Sequence, residues 1–285
     1  LLITTMKRFN IFQIFISLFC VLILQLQLDA QSNKKVLFFD DFTSANLDRS
    51  KWNVIITGDH FNDELQAYID SASTLFVENG CLVFRPQYSP GFITKDGKRF
   101  DFTSARITTQ NKFDFAYGTA EAKIKLTKGS GLWPAWWMLG NGIWPTTGEV
   151  DIMENIGETE WANAAVHGPG YSGETPFVNR QYFNASNDVT NWHVYAVEWS
   201  PTEMIFKYDG IVMYKVTKTM INHYGKWVFD EPKHLLLNFA VGGIYPAKIN
   251  GIKGKGVKYG LPEPTAELIK SSKVKMWVDW VKVSR

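Results

Sequence analysis

Two pairs of apolar runs each meet at a two-residue hinge. Residues 75–84 turn back at Asn79-Gly80, and residues 204–216 turn back at Asp209-Gly210. Asn-Gly and Asp-Gly tolerate the positive φ that tight hairpins demand, so each pair predicts two antiparallel strands. Further short strands are expected at 36–39, 104–109, 117–126, 136–139, 149–155, 162–167, 193–199, 235–241 and 274–283. Period-two alternation is clear in Glu121-Ala122-Lys123-Ile124-Lys125-Leu126 and Lys275-Met276-Trp277-Val278-Asp279-Trp280. Helical periodicity is nearly absent, and one short helix is expected over 265–271, after Pro264. No internal repeat or low-complexity linker divides the chain. The pattern therefore predicts one all-β domain, a sandwich or barrel rather than alternating strands and helices. The 11 Trp, 11 Tyr and 20 Phe among 285 residues fit many strands, or a cleft for flat apolar faces.

The N-terminus reads as an address. Residues 1–5 precede the first methionine, Met6; Lys7 and Arg8 follow, then an apolar run over 11–26. The run ends at Leu28-Asp29-Ala30, which supplies a small residue for cleavage. This predicts a signal peptide over 1–30 and a single exported domain over 31–285, extracellular or periplasmic; a retained anchor is the alternative. A formal net charge of +2 lacks the excess expected of a nucleic-acid binder. Two cysteines cannot build a disulfide scaffold, and Cys81, beside Leu82 and Val83, is expected to be a small core residue. No glycine-rich phosphate loop, no Ser-His-Asp set and no histidine pair at metal-ligand spacing is found.

The chemistry lies in Glu149-Val150-Asp151-Ile152-Met153-Glu154. On a regular strand Glu149 and Asp151 share a face, while Glu154 falls on the other. A β-bulge at Ile152 or Met153 would return Glu154 to that face. The two glutamates would then span roughly 13 Å between α-carbons, and inward-leaning side chains approach the ~5–5.5 Å carboxyl separation of a retaining glycosidase. Such chemistry needs one ionised acid to attack and one protonated acid to assist the leaving group; neighbouring carboxylates push each other's proton affinities apart. Asp151 between them can hydrogen-bond Glu149. An exposed acidic strand or a cation site is the alternative from spacing alone. Tryptophans lie just upstream, in Gly131-Leu132-Trp133-Pro134-Ala135-Trp136-Trp137-Met138 and Ile143-Trp144-Pro145. Their faces suit pyranose rings. One of Trp136 and Trp137 is expected in the core. Trp133 and Trp144 precede prolines, so strand edges or loops are expected for both. His167 ends the next strand and can reach an acid or a sugar.

The acid segment, with its upstream Gly-Leu-Trp-Pro-Ala, resembles glycoside hydrolase family 16, in its laminarinase-like branch. The resemblance runs over about 36–283 and includes Asp40-Asp41-Phe42, Asn62-Asp63-Glu64-Leu65-Gln66, Ser104-Ala105-Arg106, Val241-Gly242-Gly243 and Val278-Asp279-Trp280-Val281. It implies a β-jelly-roll sandwich of two curved antiparallel sheets, with a substrate cleft on the concave face. It implies Glu149 as nucleophile, Glu154 as general acid/base and Asp151 as the assisting acid. Asn62, Glu64, Arg106, Trp133, Trp137, Trp144 and His167 would contact sugar. Many members hold a structural calcium, and the matching positions are the Asp41 and Gly80 carbonyls and the Asp279 carboxylate; no cofactor is expected for catalysis. The expected protein is a secreted, monomeric endo-β-1,3-glucanase acting on laminarin-like polymers, with no nucleic-acid partner and no membrane partner after cleavage. Mixed-linkage β-glucan or a red-algal galactan are alternative substrates, and a non-catalytic glucan-recognition protein is the third reading. The chain departs from the family at Ile244-Tyr245-Pro246, where Asn-Trp-Pro is frequent. The stretch 248–260 is expected to be a loop at the cleft rim or a solvated edge.

Overall fold

The structure, a computed structural model, describes residues 34–252 and 257–285. The expected signal segment over 1–30 lies outside them, as does part of the 248–260 stretch. Among the described residues, two eight-stranded antiparallel sheets pack face to face as a jelly-roll sandwich. The front sheet runs Phe177–Tyr182, Trp161–His167, Glu149–Glu154, Leu132–Gly140, Lys233–Val241, Arg106–Thr108 and Asn53–Val54, with Asp114–Phe115 also on the Lys233–Val241 strand. The back sheet runs Ile211–Thr217, Glu203–Tyr208, His193–Trp199, Gly118–Leu126, Met276–Ser284, Cys81–Phe84 and Leu75–Glu78, with Val36–Asp40 also on Met276–Ser284. Both predicted hairpins form, and Asn79 and Asp209 take the positive φ their turns require.

Alternation explains the layering. Along Gly118–Leu126, Ala120, Ala122, Ile124 and Leu126 face the core, while Glu121, Lys123 and Lys125 face outward. The Lys233–Val241 strand is buried at every position, as befits the centre of a covered sheet. Trp52, Trp136, Phe84, Phe206 and Phe239 fill the space between the layers. Each such side chain stabilises by about 1.5–3 kcal/mol relative to exposure.

Some expectations are corrected. Three strands without clean alternation, Gln66–Tyr68, Gln87–Ile93 and Arg99–Ser104, form a small separate sheet. The helix expected over 265–271 occupies Glu263–Lys270. A further short helix, Ile244–Ile249, includes Lys248, where the sequence predicts a loop. The strand expected over 136–139 begins earlier, at Leu132, which makes Trp133 its second residue, at a strand end rather than in a loop. Pro134 is tolerated there because its carbonyl, and hence its nitrogen, faces Asn155, where the neighbouring strand has already ended. Cys81 is half-buried rather than core: it opens its strand on the outer face of the back sheet. Burial still raises its thiol pKa, with the charge of Asp279 adding to the effect.

Candidate active site

The acid strand carries the expected bulge, at Ile152. Trp136 pairs with Met153 and Trp137 with Asp151, so Ile152 is the extra residue. On the other side Asp151 pairs with Ala165 and Glu154 with Asn163, the same one-residue excess. Val150, Ile152 and Met153 are fully buried in the core. The extra residue lets Met153 stay inside while Glu154 joins Glu149 and Asp151 on the outer face. From the back sheet, the Tyr208 hydroxyl donates to the Ile152 carbonyl at 3.0 Å, which satisfies the bulged backbone inside the core.

The three acids have different surroundings. Asp151 is 3% exposed, between the two glutamates. Burial pushes its carboxyl well above the usual carboxylate range, and the negative charge of Glu154 adds to this; a hydrogen bond with Glu149 opposes it. Glu149 is also pushed well up, by burial first and then by Asp151, with the charge of His167 and the Trp144 indole opposing. His167 Nε2 lies 3.3 Å from Asp151 and 3.9 Å from Glu149. Glu154 accepts two hydrogen bonds: Trp133 Nε1 donates to Oε1 at 2.9 Å and Asn163 Nδ2 to Oε2 at 3.0 Å.

The predicted sugar contacts fall into connected groups. Trp133 is fixed by Glu154, and its ring packs 5.4 Å from Tyr245. Trp137 donates to Asn238 at 2.7 Å, and the Arg106 guanidinium lies 4.7 Å over its ring. Trp136, by contrast, is fully buried in the core. Asn238 in turn donates to Tyr68, whose hydroxyl donates to Glu64. Burial raises the Glu64 pKa, against the hydrogen bonds of Gln66 and Tyr68 and the charge of Arg106. Arg106 Nε is buried with no partner among the described residues. Asn62 is exposed with φ of 51°, at the foot of the Ile244–Ile249 helix. Trp144 is 48% exposed in the loop before Glu149, with its ring 6.3 Å from His167.

Gln66, Tyr68, Asn163 and Asn238 were not foreseen, and Tyr245 was marked only as part of the Ile244-Tyr245-Pro246 departure. Asn163 and Asn238 each sit in an otherwise apolar strand, and a buried amide in such a run was the available signal.

The expected calcium positions meet in the register of the last strand. Asp40 pairs with Val281, and Leu82 pairs with Val278, so the ends of Val36–Asp40 and Cys81–Phe84 meet beside Asp279. Backbone and carboxylate oxygens suit a hard cation. The Asp279 carboxylate also pairs with Lys123 at 2.8 Å, a charge that calcium would have to share. No helix among the described residues is long and apolar enough to cross a membrane.

Comparison with known proteins agrees with this geometry. The sequence profile described as "Glycosyl hydrolases family 16" matches residues 49–260. A beta-glucanase of Rhodothermus marinus is 31% identical over 234 residues, 76% of this chain and 79% of that protein. A glucan endo-1,3-beta-glucosidase A1 of Niallia circulans is 31% identical over 242 residues, 75% of this chain and 35% of that protein. The crystal structure of the laminarinase catalytic domain of Thermotoga maritima superimposes with a TM-score of 0.76 at 33% identity, covering 88% of this chain and 98% of that one. A bulged three-acid strand, tryptophans along its sheet and a profile match over most of the described domain lead to one conclusion: the chain belongs to glycosyl hydrolase family 16.

Proposed function

We propose that this chain is a secreted endo-β-1,3-glucanase that cleaves with retention of anomeric configuration. The observation that carries the reading is the Ile152 bulge, which sets Glu149, Asp151 and Glu154 on one face of one strand. Glu149, freed of its proton by Asp151, attacks the anomeric carbon and forms a glycosyl ester. Glu154 gives its proton to the departing glycosidic oxygen, so the bond to that oxygen breaks with the electron pair leaving on it. In the second step Glu154 takes a proton from water as the water displaces Glu149, restoring both acids. Trp133, Trp137 and Trp144 offer faces for pyranose rings, and Arg106 and Glu64 offer polar partners for hydroxyls. The choice of β-1,3-glucan rests on the two relatives and the laminarinase domain described above, which bear glucanase names.

Two further features belong to the reading. Residues 1–30 are the export signal, and the mature chain begins at Gln31. A calcium held by the Asp41 and Gly80 carbonyls and the Asp279 carboxylate ties the start of the domain to its last strand. Its role there is structural, and the acids work without it.

The test is a reducing-sugar assay over laminarin, barley β-glucan, agarose and carrageenan, with proton NMR of the first minutes of reaction. Laminarin should be cleaved fastest to a ladder of oligosaccharides, with the new reducing end appearing first as the β-anomer. An initial α-anomer would refute retention. Preference for barley glucan or a galactan would refute the substrate.

A further inference from the structure

We propose that Tyr245 is a positioning residue for Glu154, acting through Asn163 as a one-way hydrogen-bonded chain. The inference rests on the reading of Glu154 as general acid/base.

Asn163 stands opposite Glu154 across the strand pair and is fully buried. Its Nδ2 donates to Glu154 Oε2 at 3.0 Å. The two ends of an amide have nearly the same shape, but only the nitrogen end can donate. If the amide turned over, its oxygen would face the carboxylate and repel it. Something must therefore select the orientation. Tyr245 does so: its hydroxyl lies 3.0 Å from Asn163 Oδ1 and donates to it. A hydroxyl can also accept, which would let the amide turn. The ionised carboxylate removes that freedom, because it can only accept and so holds the nitrogen end of Asn163 toward itself. Arg180 stands opposite Asn163 on the next strand, its guanidinium stacked 4.0 Å over Trp161, and its positive charge acts on the Tyr245 hydroxyl. The two links then have one direction each: Tyr245 to Asn163 and Asn163 to Glu154.

Packing holds the chain in place. Tyr245 is the second residue of the Ile244–Ile249 helix, which begins directly after Gly242-Gly243. Gly243 has φ of 118°, and a Cβ there would lie 3.1 Å from the Trp133 ring. The close approach lets the helix start against Trp133, so the Tyr245 ring lies 5.4 Å from it. Tyr245 thereby braces both groups that donate to Glu154: Asn163 by its hydroxyl and Trp133 by its ring. With a donor at each oxygen, the carboxylate is fixed in orientation for the proton transfers it must make. The other groups facing this centre are Asp151 and Glu149 on the same strand, His167 on the next, and Tyr208 from the back sheet. They are unchanged by a substitution at 245.

The experiment compares wild type, Tyr245→Phe, Asn163→Ala and the double variant. Phenylalanine keeps the ring against Trp133 and removes only the hydroxyl. Substrates are laminari-oligosaccharides and an aryl β-glycoside whose leaving group needs no proton. For Tyr245→Phe, kcat/KM on the oligosaccharide should fall about 3- to 30-fold, the range set by one oriented hydrogen bond. Single-turnover release of the aryl group should change less than about 2-fold. The double variant should be no worse than Asn163→Ala alone. Equal losses on both substrates, or additive losses in the double variant, would overturn the chain. Wild-type protein inactive on every β-glucan would instead overturn the functional reading on which it rests.

Discussion

Lys233 offers a test in which structure gives both sign and size. It is fully buried at the first position of the central front strand. Its Nζ donates to the Thr147 carbonyl at 2.7 Å and to the Val228 carbonyl at 3.2 Å. Burial lowers its pKa from the ordinary 10.5 to about 8, against the charges of Glu231 and Asp230. Between these two values the unfolded chain binds a proton that the folded chain does not, so stability rises with pH. Each pH unit in that window adds about 1.4 kcal/mol, or about 3 kcal/mol over the whole window. The faces of Phe229 and Trp199, 5.1 and 5.7 Å away, favour the cation and narrow the window from below. The gain therefore lies between about 1 and 3 kcal/mol. A neutral amine still has two hydrogens for the two carbonyls, so deprotonation does not orphan them. Lys233→Met removes the titrating group. Urea unfolding of both proteins from pH 7.5 to 10.5 should show wild type gaining on the variant by that amount. A difference that stays flat, or falls, would refute the reasoning. The variant should also lose activity, because Thr147 is two residues from Glu149 and closes the loop that carries Trp144.

Three further outcomes are expected. Glu149→Gln should reduce turnover by several orders of magnitude, as loss of a nucleophile does. Because burial raises the Glu149 pKa, stability falls as pH rises from the ordinary carboxylate value toward the raised one. The variant should therefore melt higher than wild type at neutral pH, and the advantage should vanish as pH falls to about 4; a lower melting temperature at pH 7 would contradict this. Tyr208→Phe should orphan the buried Ile152 carbonyl and cost about 1–3 kcal/mol in denaturant unfolding, with kcat falling as Glu154 loses its setting; a silent substitution would mean that the bulge needs no support from the back sheet. Excess chelator should lower the melting temperature more than it lowers activity, and Asp279→Ala should remove the chelator effect; an unchanged melting curve would eliminate calcium, leaving Lys123 as the sole cation at Asp279.

What was legible in the sequence was what repeats locally. Alternation over the Gly118–Leu126 strand and the turns at Asn79-Gly80 and Asp209-Gly210 carry their structure within ten residues. The acid strand was legible for a related reason: three carboxylates among apolar residues make sense only with one extra residue to reset the alternation. What was not legible depends on register between distant segments. Asn163 matters because it lands opposite Glu154, and Tyr245 because a helix 82 residues further along reaches back to it. Gln87–Ile93 carries Pro90 and Gly91 in mid-strand and was hidden by them; it survives in a small sheet where its register with Arg99–Ser104 is broken. The start of the Leu132–Gly140 strand was hidden because Pro134 argues against a strand unless its neighbour has already ended, a fact about the neighbouring strand rather than about Pro134.

The bulge links the core to the chemistry. A regular strand would have turned Glu154 toward the core that Val150, Ile152 and Met153 fill, where an unpaired carboxylate is strongly disfavoured. Holding one more residue in the same strand lets both neighbouring strands keep pairing, with Trp137 opposite Asp151 and Ala135 opposite Glu154. The cost is a backbone carbonyl turned into the interior, and Tyr208 offsets it from the other sheet. Above the sheet, each acid then meets a different neighbour: Glu149 meets His167 and Trp144, Asp151 meets almost no solvent, and Glu154 meets two fixed donors. Three like residues on one strand would otherwise compete for the same proton. Their surroundings separate them: burial raises the carboxyls of Asp151 and Glu149, while Glu154 takes one donor on each oxygen.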